Sequence, residues 1–243
     1  MPDLKKRSSE LELMDYPIED KSDIFKNFKE LVFINRYLGG AIHSYRNIRH
    51  LCEKLDCPTI VDIGFGAGDL LNYLHEKRKY LPSKTKFIGV DLMPEAKEFA
   101  DKHYQFKAKQ IELVLQDYRA WLEKGERPDI IHASLFCHHL TSDQLIEFLQ
   151  VASKNAKTGV VINDLQRHAL AYYSIKWLTA MFSKSRFTKN DAPLSVLRGF
   201  RKKELVELLN QAGISDFEIR WKWAFRYLIT IRTNNSKVGA RSV

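Results

Sequence analysis

Apolar residues recur at two different spacings along the chain after Pro58. Short runs of apolar and β-branched residues alternate with longer segments whose apolar positions lie three to four residues apart, a pattern typical of βα units in a parallel sheet. The short runs predict seven strands, at residues 59–63, 86–90, 111–115, 129–135, 160–163, 217–222 and 227–232. Helices are predicted between the first five strands, led by residues 69–79, 96–103 and 142–154, the last with Thr141 or Ser142 as its N-cap. Only a few residues around Ala224 join the last two strands, so this pair is expected to be antiparallel.

Two helical segments lie outside this alternation. Residues 21–56 hold two helical patterns that are broken at "LGG", residues 38–40, and residues 165–187 form an aromatic-rich amphipathic insertion before a helix that begins near Arg201. We expect an α/β fold with a seven-stranded, mostly parallel sheet, a terminal antiparallel hairpin, N-terminal helices and a helical lid after strand 5. The expected parts are an N-terminal tail with capping helices (1–57), a core domain (58–232) with a helical insertion (165–200), and a flexible C-terminal tail (233–243).

Composition and charge narrow the class of protein. The 243 residues are 44% hydrophobic and 12% aromatic, which suits one globular domain, and without a signal peptide or an apolar run of roughly 18 residues we expect a cytoplasmic protein. Three cysteines at positions 52, 57 and 137 indicate reduced thiols rather than a disulfide framework or a zinc site.

The formal charge of +9 comes from scattered bases, which argues against a nucleic-acid partner and leaves peripheral membrane contact open. The early acids are expected to form a solvated tail: Glu10, Glu12, Asp15, Glu19 and Asp20.

The stretch "VDIGFGAGDL", residues 61–70, follows the first predicted strand and places glycines at 64, 66 and 68. Asp69 stands where a dinucleotide-binding loop has its third glycine, and a carboxylate there would repel a diphosphate. No Gly-Lys-Ser/Thr ends the loop, so a P-loop is excluded as well. The loop therefore favours a ligand without phosphates, whose charged groups meet backbone N–H groups and side-chain acids.

Acids also end the next two predicted strands. Asp91 closes the second strand, where a carboxylate accepts hydrogen bonds from both hydroxyls of a ribose, and Asp117 closes the third strand, within reach of an adenine amino group. Together with the glycine loop, these strand ends describe an adenosine that carries an amino-acid tail. Arg36, in the leading helical segment, has the guanidinium geometry to pair with the carboxylate of that tail.

The motifs "VDIGFGAG", "GVDLMPEA", "LQDY" and "DIIHASLFCHHL", with the late hairpin, resemble the class I S-adenosylmethionine-dependent methyltransferases over most of residues 58–232. The resemblance implies a Rossmann-like sheet and S-adenosyl-L-methionine as cofactor, with S-adenosyl-L-homocysteine as product. It also implies a set of cofactor-binding residues: Asp62, Gly64, Gly66 and Gly68 for the methionine part, Asp91 for the ribose, Leu92 and Met93 for the ring, Asp117 for the adenine edge, and in addition Tyr118 and Ser134. "HHL" is similar to the small-molecule branch that includes ubiquinone and menaquinone biosynthesis enzymes. "INRYLGG" and the segment from Asn163 to Phe200 resemble methyltransferases of phenolic-lipid or polyketide pathways.

Methyl transfer to a hydroxyl requires alignment, exclusion of water and a base. His138 and His139 follow the fourth strand and are the candidate catalytic residues, although one of them is expected to be structural. Candidate substrate-binding residues follow the fifth strand: Asp164, Arg167, His168, Tyr172, Tyr173 and Trp177. Aromatic rings suit a flat apolar acceptor, so a phenolic small molecule is favoured, with O-methylation ahead of C-methylation.

Three other functions stay open at this point. An NAD(P)-linked oxidoreductase would need a glycine at position 69, and an RNA methyltransferase would fit the basic charge but lacks the Asn/Asp-Pro-Pro-aromatic motif. A non-catalytic protein that has kept the cofactor loop is the third. No acidic cluster of a metal-dependent catechol-type enzyme can be assembled from the sequence, so no metal site is predicted. The sequence fixes neither the acceptor nor the oligomeric state.

Overall fold

The computed structural model describes residues 2–18, 20–125 and 127–233. Seven strands form one sheet in the order β3-β2-β1-β4-β5-β7-β6. The strands are β1 (Thr59–Ile63), β2 (Lys86–Asp91), β3 (Glu112–Leu115), β4 (Ile130–Ser134), β5 (Gly159–Leu165), β6 (Phe217–Lys222) and β7 (Arg226–Arg232). The pairs among β1 to β5 are parallel, whereas β7 runs antiparallel to both β5 and β6. The predicted strands and the predicted α/β architecture are confirmed.

Nine α-helices accompany the sheet within the described ranges. They are α1 (Lys21–Tyr37), α2 (Gly40–Cys52), α3 (Asp69–Glu76), α4 (Pro94–Tyr104), α5 (Tyr118–Glu123), α6 (Ser142–Asn155), α7 (Ala169–Phe182), α8 (Arg186–Arg198) and α9 (Lys202–Gln211). Short 3-10 helices lie at Leu13–Asp15, Arg78–Tyr80 and Cys137–His139. The N-cap of α6 is Thr141, which forms a reciprocal capping box with Gln144. At "LGG", Gly39 adopts a φ of +76°, which turns the chain from α1 into α2.

Alternate residues of the strands feed two hydrophobic cores on opposite faces of the sheet. Val61 and Ile63 of β1 belong to the core shared with α5, α6 and α9, whereas Ile60 belongs to the core shared with α1 to α4. Both faces are covered, as expected for strands with almost continuous burial. Helix α8 packs against both α1 and α7 at the edge where the parallel strands end.

The N-terminal segment, residues 2–18, is a structural element, and the prediction of a solvated acidic tail is wrong for its central residues. Glu12 is only 1% exposed, and Asp15 Oδ2 lies 2.7 Å from Nη1 of Arg198 on α8. The backbone N–H groups of Leu13 and Met14 donate to the carboxylate of Asp191, so the segment is fastened to α8. Glu10 and Asp20 are exposed.

Some predictions lie beyond what the structure describes. Glu19 falls outside the described residues, as does the predicted C-terminal tail from residue 234 onward. Among the helices that are described, none combines the length and the apolar character needed to cross a bilayer. The division into a tail, a core and an insertion stays a prediction, as does the cytoplasmic location.

Candidate active site

A cavity of about 600 Å³ opens at the carboxyl edge of the parallel strands. Its floor comes from the ends of β1, β2 and β4, and its walls come from α1, α7, α8, the N-terminal segment and the turn between β6 and β7. Ligands of open α/β sheets bind at this edge, because the strand ends and the following loops present backbone groups there. The cavity therefore lies where the sequence places the cofactor loop.

The glycine loop after β1 is shaped by backbone geometry that side chains rarely allow. Gly64 and Gly66 adopt φ values of +65° and +51°. A Cβ atom on Gly64 would lie 2.5 Å from the ring of Phe136, whereas a Cβ atom on Gly66 would have no neighbour within 4 Å. Gly66 therefore presents bare backbone to the cavity, and a ligand can approach it closely.

Asp91 fixes this loop to the end of β2. Its Oδ2 accepts from the N–H of Gly66 at 2.9 Å, and its Oδ1 accepts from the N–H of Met93 at 2.9 Å. Burial raises the pKa of Asp91. Each carboxylate oxygen keeps a further acceptor site, and Asp91, Leu92 and Met93 all line the cavity, as predicted for the ribose and the ring.

Of the three remaining residues predicted to bind the cofactor, two line the cavity and one does not. Tyr118 and Ser134 line it, and the buried hydroxyl of Tyr118 has no hydrogen-bond partner in the described part of the chain. Asp117 is not among the lining residues that the structure describes. Its carboxylate caps α5 by accepting from the N–H of Arg119 at 2.8 Å, and the neighbouring Gln116 takes its place on the cavity wall.

Asp62 belongs to a buried chain of polar side chains that the sequence analysis did not identify. Asp62 Oδ1 lies 2.7 Å from His132 Nδ1, and His132 Nε2 lies 2.9 Å from Ser44 Oγ. Ser44 in turn accepts from Asn163 Nδ2 at 3.1 Å. The chain joins β1, β4 and β5 to α2, and it ends at the cavity, which Asp62 and Ser44 line. Its sequence signal is the presence of polar residues inside otherwise apolar strands.

Arg226 at the start of β7 is a second residue that the sequence analysis missed. Its side chain is 2% exposed, yet it lines the cavity and forms no ion pair with any described acid. Nη2 donates to Asn35 Oδ1 at 2.7 Å, whereas Nη1 is buried without a partner in the described residues. Arg36, the predicted partner of the cofactor carboxylate, is exposed on α1 and is not among the described lining residues.

Asp69 lies near Arg226, at the first position of α3. Burial and the charge of Asp62 raise the pKa of Asp69 to about 6. A cavity wall with two neighbouring carboxyl groups is unfavourable for a diphosphate, as the sequence analysis argued. The same wall suits a ligand that brings a positively charged group.

The predicted catalytic histidines follow β4, which β1 separates from β2 and Asp91 in the sheet, and they line the cavity beside the N-terminal segment. His138 is 3% exposed, its Nδ1 lies 2.7 Å from Asp164 Oδ1, and its Nε2 lies 3.6 Å from Glu12 Oε1. His139 Nδ1 lies 3.1 Å from Asp15 Oδ1, and its Nε2 lies 3.9 Å from Glu12 Oε2. Burial lowers the pKa of His138, but Asp164 and Glu12 raise it more, to about 9. Glu12, His138 and His139 have the composition of a metal-ligand set.

The aromatic side chains predicted to bind the acceptor do not face the cavity. Tyr173 and Trp177 are 49% and 61% exposed, and neither they nor Tyr172 are among the described lining residues. Helix α7 instead turns its smaller side chains inward: Ala171, Ser174, Ile175 and Leu178. Small residues on the inner stripe let α7 pack close to α8, which leaves the large rings on the outer face.

The other three predicted substrate residues have structural partners. Asp164 lies behind His138 and holds it, without lining the cavity itself. Arg167 is 3% exposed and binds Glu204 and the carbonyl oxygens of Leu4 and Gly199. His168 caps α7 by accepting from the N–H of Leu170. The prediction that these residues contact the acceptor is corrected accordingly.

Comparisons with known proteins agree with this fold. Residues 60–159 match the family model of a methyltransferase domain. No curated protein matches the sequence significantly. The plantazolicin methyltransferase BpumL, solved with SAH, is 17% identical at a TM-score of 0.63, with 89% of this chain and 91% of that chain covered.

Two longer structures are also similar. Human N-acetylserotonin methyltransferase in complex with SAM is 18% identical over 90% of this chain, at a TM-score of 0.59. An O-methyltransferase family 2 protein from Planctomyces limnophilus DSM 3776, in complex with apigenin, is 12% identical over 89% of this chain, at a TM-score of 0.59. This chain spans 61% and 62% of their lengths. The domain match over residues 60–159 and the shared fold support the resemblance to class I methyltransferases.

Proposed function

We propose that the protein transfers the methyl group of S-adenosylmethionine to a hydroxyl group of a small, apolar, phenolic acceptor. The observation that carries the proposal is the arrangement around Asp91. Its carboxylate holds the bare backbone of Gly66 against a cavity whose far end carries His138. A nucleoside at Asp91 and an acceptor hydroxyl at His138 would then occupy opposite ends of one cavity.

The residues at the cofactor end fit the groups that S-adenosylmethionine presents. Asp91 would accept from the ribose hydroxyls, and Tyr118, whose buried hydroxyl has no partner in the described residues, lines the same cavity. The buried Nη1 of Arg226 would take the carboxylate of the methionine part, the role first expected of Arg36. Asp62 and Asp69 lie where a positively charged ammonium group is favourable. The cofactor supplies a methyl group on a sulfonium, which is the electrophile of the reaction.

The acceptor end combines apolar walls with one polar corner. Ile175, Leu178 and Val196 contribute apolar surface, while Glu12, His138 and His139 form the polar corner. A flat phenolic molecule would bury its ring against the apolar walls and direct its hydroxyl to the histidines, which would exclude water from the displacement. The structural neighbour in complex with apigenin supports an acceptor of this kind.

Fewer features of the cavity support the three alternative functions: an oxidoreductase, an RNA methyltransferase and a non-catalytic binding protein. A nicotinamide dinucleotide would place its diphosphate beside Asp62 and Asp69, and a base of RNA would have to enter a cavity walled by α7, α8 and the N-terminal segment. A binding protein without turnover would retain the cofactor end but would not need the buried His138–Asp164 pair. O-methylation is favoured over C-methylation because the polar corner suits a hydroxyl.

Exposed apolar side chains on α1, α7 and the β6–β7 hairpin, which also contribute residues to the cavity walls, form a surface that we call the rim. The rim supports peripheral contact with a membrane, from which an apolar acceptor could enter. Ten of the fifteen large hydrophobic side chains that are exposed in the described ranges belong to this rim: Phe33, Tyr37, Leu170, Tyr173, Trp177, Leu178, Met181, Phe182, Trp221 and Trp223. Helix α7 contains no acid, and Lys176, Arg220 and Lys222 lie on the same elements as the rim. Aromatic and basic residues together suit an anionic lipid surface.

Sedimentation with lipid vesicles tests the rim. The wild type is expected to sediment with phosphatidylglycerol vesicles and not with phosphatidylcholine vesicles, and Trp177→Ser is expected to weaken this. Tyr80→Ser, at a 52% exposed residue outside the rim, is the matched control. Absence of sedimentation, or self-association that accounts for the exposed rim, would remove membrane contact from the proposal.

Calorimetric titration tests the cofactor, and product analysis tests the reaction. The wild type is expected to bind S-adenosylmethionine and S-adenosylhomocysteine, and Asp91→Asn to bind them at least about tenfold more weakly. Asp101→Asn, on the outer side of α4 where Asp101 pairs with Lys97, is the control. Equal affinity in the wild type and Asp91→Asn would contradict the placement of the ribose.

Mass spectrometry of a panel of phenols incubated with enzyme and cofactor should reveal an added methyl group.

A further inference from the structure

We propose that Glu12, His138 and His139 bind a divalent transition-metal ion at the acceptor end of the cavity. The site itself is argued from geometry alone, whereas its action on the acceptor rests on the proposed function. No metal site is predicted from the sequence, because Glu12 lies 126 residues before His138 in a stretch expected to be a solvated tail. The fold brings the three side chains together.

The ligand atoms converge on one point. Nε2 of His138 and Nε2 of His139 face the two oxygens of the same carboxylate, at 3.6 and 3.9 Å. These separations are too long for hydrogen bonds. They suit ligands of a shared ion, since an ion bonded at about 2.0–2.2 Å holds two ligand atoms about 3–4 Å apart. One ligand atom from each of the three residues lies within 4.8 Å of the other two.

The second nitrogen of each ring is already oriented by an acid. His138 Nδ1 lies 2.7 Å from Asp164 Oδ1, and His139 Nδ1 lies 3.1 Å from Asp15 Oδ1. A carboxylate on Nδ1 fixes the proton there and leaves the lone pair of Nε2 free toward the ion, an arrangement shared by most histidine ligands. Two adjacent histidines that both follow this pattern are hard to explain by packing alone.

The charges around the cluster favour a cation. Glu12, Asp15 and Asp164 contribute three carboxylates, against the guanidinium groups of Arg198 and Arg7. Arg198 pairs closely with Asp15 at 2.7 Å and more distantly with Glu12 Oε1 at 3.9 Å, and Arg7 donates to backbone carbonyl oxygens. Glu12 Oε2 has no arginine partner in the described residues. Metal binding requires neutral rings, and with both rings neutral the three carboxylates exceed the two guanidinium groups by one negative charge, which a bound cation would offset.

Two imidazole groups and one carboxylate favour zinc, cobalt or manganese over magnesium or calcium, which prefer oxygen ligands. All three ligands line the cavity, so the remaining coordination positions face the acceptor. There the ion would bind the acceptor hydroxyl and lower its pKa, and the proton would leave to water. The resulting oxygen anion attacks the methyl carbon: the new C–O bond forms as the C–S bond breaks, with its electron pair going to sulfur.

Metal titration of the full chain, stripped with a chelator and dialysed, tests the site without reference to activity. Cobalt(II) should produce visible d–d absorption that saturates at one equivalent, and zinc should displace it. Glu12→Gln and His139→Asn should weaken the binding at least about tenfold, and Asp15→Asn should weaken it through His139. His50→Asn, at an exposed histidine on α2, should bind as the wild type does.

Titration with S-adenosylhomocysteine separates the metal site from the proposed function, because Asp91 and Gly66 lie at the other end of the cavity. The variants should keep the cofactor affinity of the wild type, which also shows that they are folded. Failure of the wild type to take up cobalt or zinc, or equal uptake in Glu12→Gln, would overturn the metal site while leaving the methyltransferase proposal intact. Absence of cofactor binding in the wild type would instead overturn the proposed function.

Discussion

Asp62 and His132 stand directly opposite each other in the parallel strands β1 and β4, with Oδ1 and Nδ1 2.7 Å apart. Both side chains point to the face covered by α2, where Ser44 meets the other ring nitrogen. This buried pair lies in the strand that leads into the cofactor loop, and through Ser44 it links β1 and β4 to α2. The loop is therefore supported by polar contacts as well as by its glycines.

Replacing His132 by leucine should destabilise the protein strongly. The substitution leaves Asp62, which is 3% exposed, without its partner in the sheet, and breaking a buried pair costs about 3–5 kcal/mol. The free energy of unfolding in urea measures the loss. His50→Leu is the control, because His50 is exposed and its pairing with Glu53 contributes about 0–1 kcal/mol. Similar losses in the two variants would contradict a structural role for the Asp62–His132 pair.

Gly66→Ala should weaken cofactor binding more than it weakens the fold. Gly66 and Gly213 both have positive φ values, +51° and +75°, and neither has a neighbour within 4 Å of an added Cβ. Alanine should cost about 1–2 kcal/mol of stability at each position because of the left-handed backbone. Only Gly66 lines the cavity, so only Gly66→Ala should also lower the affinity for S-adenosylhomocysteine, by at least about tenfold. Equal affinities in the two variants would show that the ligand does not approach this backbone.

Arg226→Met should lower the affinity for S-adenosylhomocysteine about 10- to 100-fold, since a charge-assisted hydrogen bond to the carboxylate is lost. Its affinity for 5′-methylthioadenosine, which lacks the amino-acid tail, should stay as in the wild type. Arg36→Met is the matched control, because Arg36 is exposed on α1. If Arg36→Met showed the selective loss and Arg226→Met did not, the assignment made from the sequence would stand. Loss of the tailless ligand as well in Arg226→Met would point to the acceptor side.

Protonation of Asp69 should make the stability of the free protein depend on pH. Its pKa in the folded chain is about 6, against an ordinary value of 3.8, so the folded state holds the proton more tightly than the unfolded state does. The contribution is full below pH 3.8 and is lost as the pH rises through 6, by at most about 3 kcal/mol. The groups around it are Asp62, Arg226, Asn35 and Tyr104.

Urea unfolding of the wild type and Asp69→Asn from pH 4 to pH 7 measures this dependence. The stability difference between the two proteins should change over that interval, with the wild type losing more as the pH rises. Parallel curves would mean that Asp69 titrates as an ordinary exposed acid.

The sheet could be predicted from the sequence because its signals are local. Apolar periodicity located all seven strands, and the short connection between the last two predicted that they pair antiparallel. The ends of the strands differ by one or two residues from the prediction, since pairing partners set them. Strand β5 continues to Leu165 because Arg226 of β7 pairs with it there.

Much of the cofactor end of the cavity could be predicted from sequence, since the glycine loop directly follows β1 and Asp91 is the last residue of β2. Glu12 and Arg226 could not, because they come from parts of the chain far from these motifs and reach the cavity only through folding. Helix α7 shows the limit of periodicity. Two apolar stripes run along it, and the sequence does not say that Ala171 faces inward while Trp177 faces out.

The N-terminal segment and the strand ends contribute separate walls of the cavity. The cofactor end is built from strand termini whose alteration would disturb the sheet, but the wall next to Glu12 belongs to seventeen residues, 2–18, that are fastened to α8 by side-chain and backbone hydrogen bonds. If the acceptor binds beside Glu12, as proposed, exchanging this segment for another would change the shape of the acceptor pocket and leave every strand in place. Variation in this segment would then alter the choice of acceptor at the lowest cost to the fold.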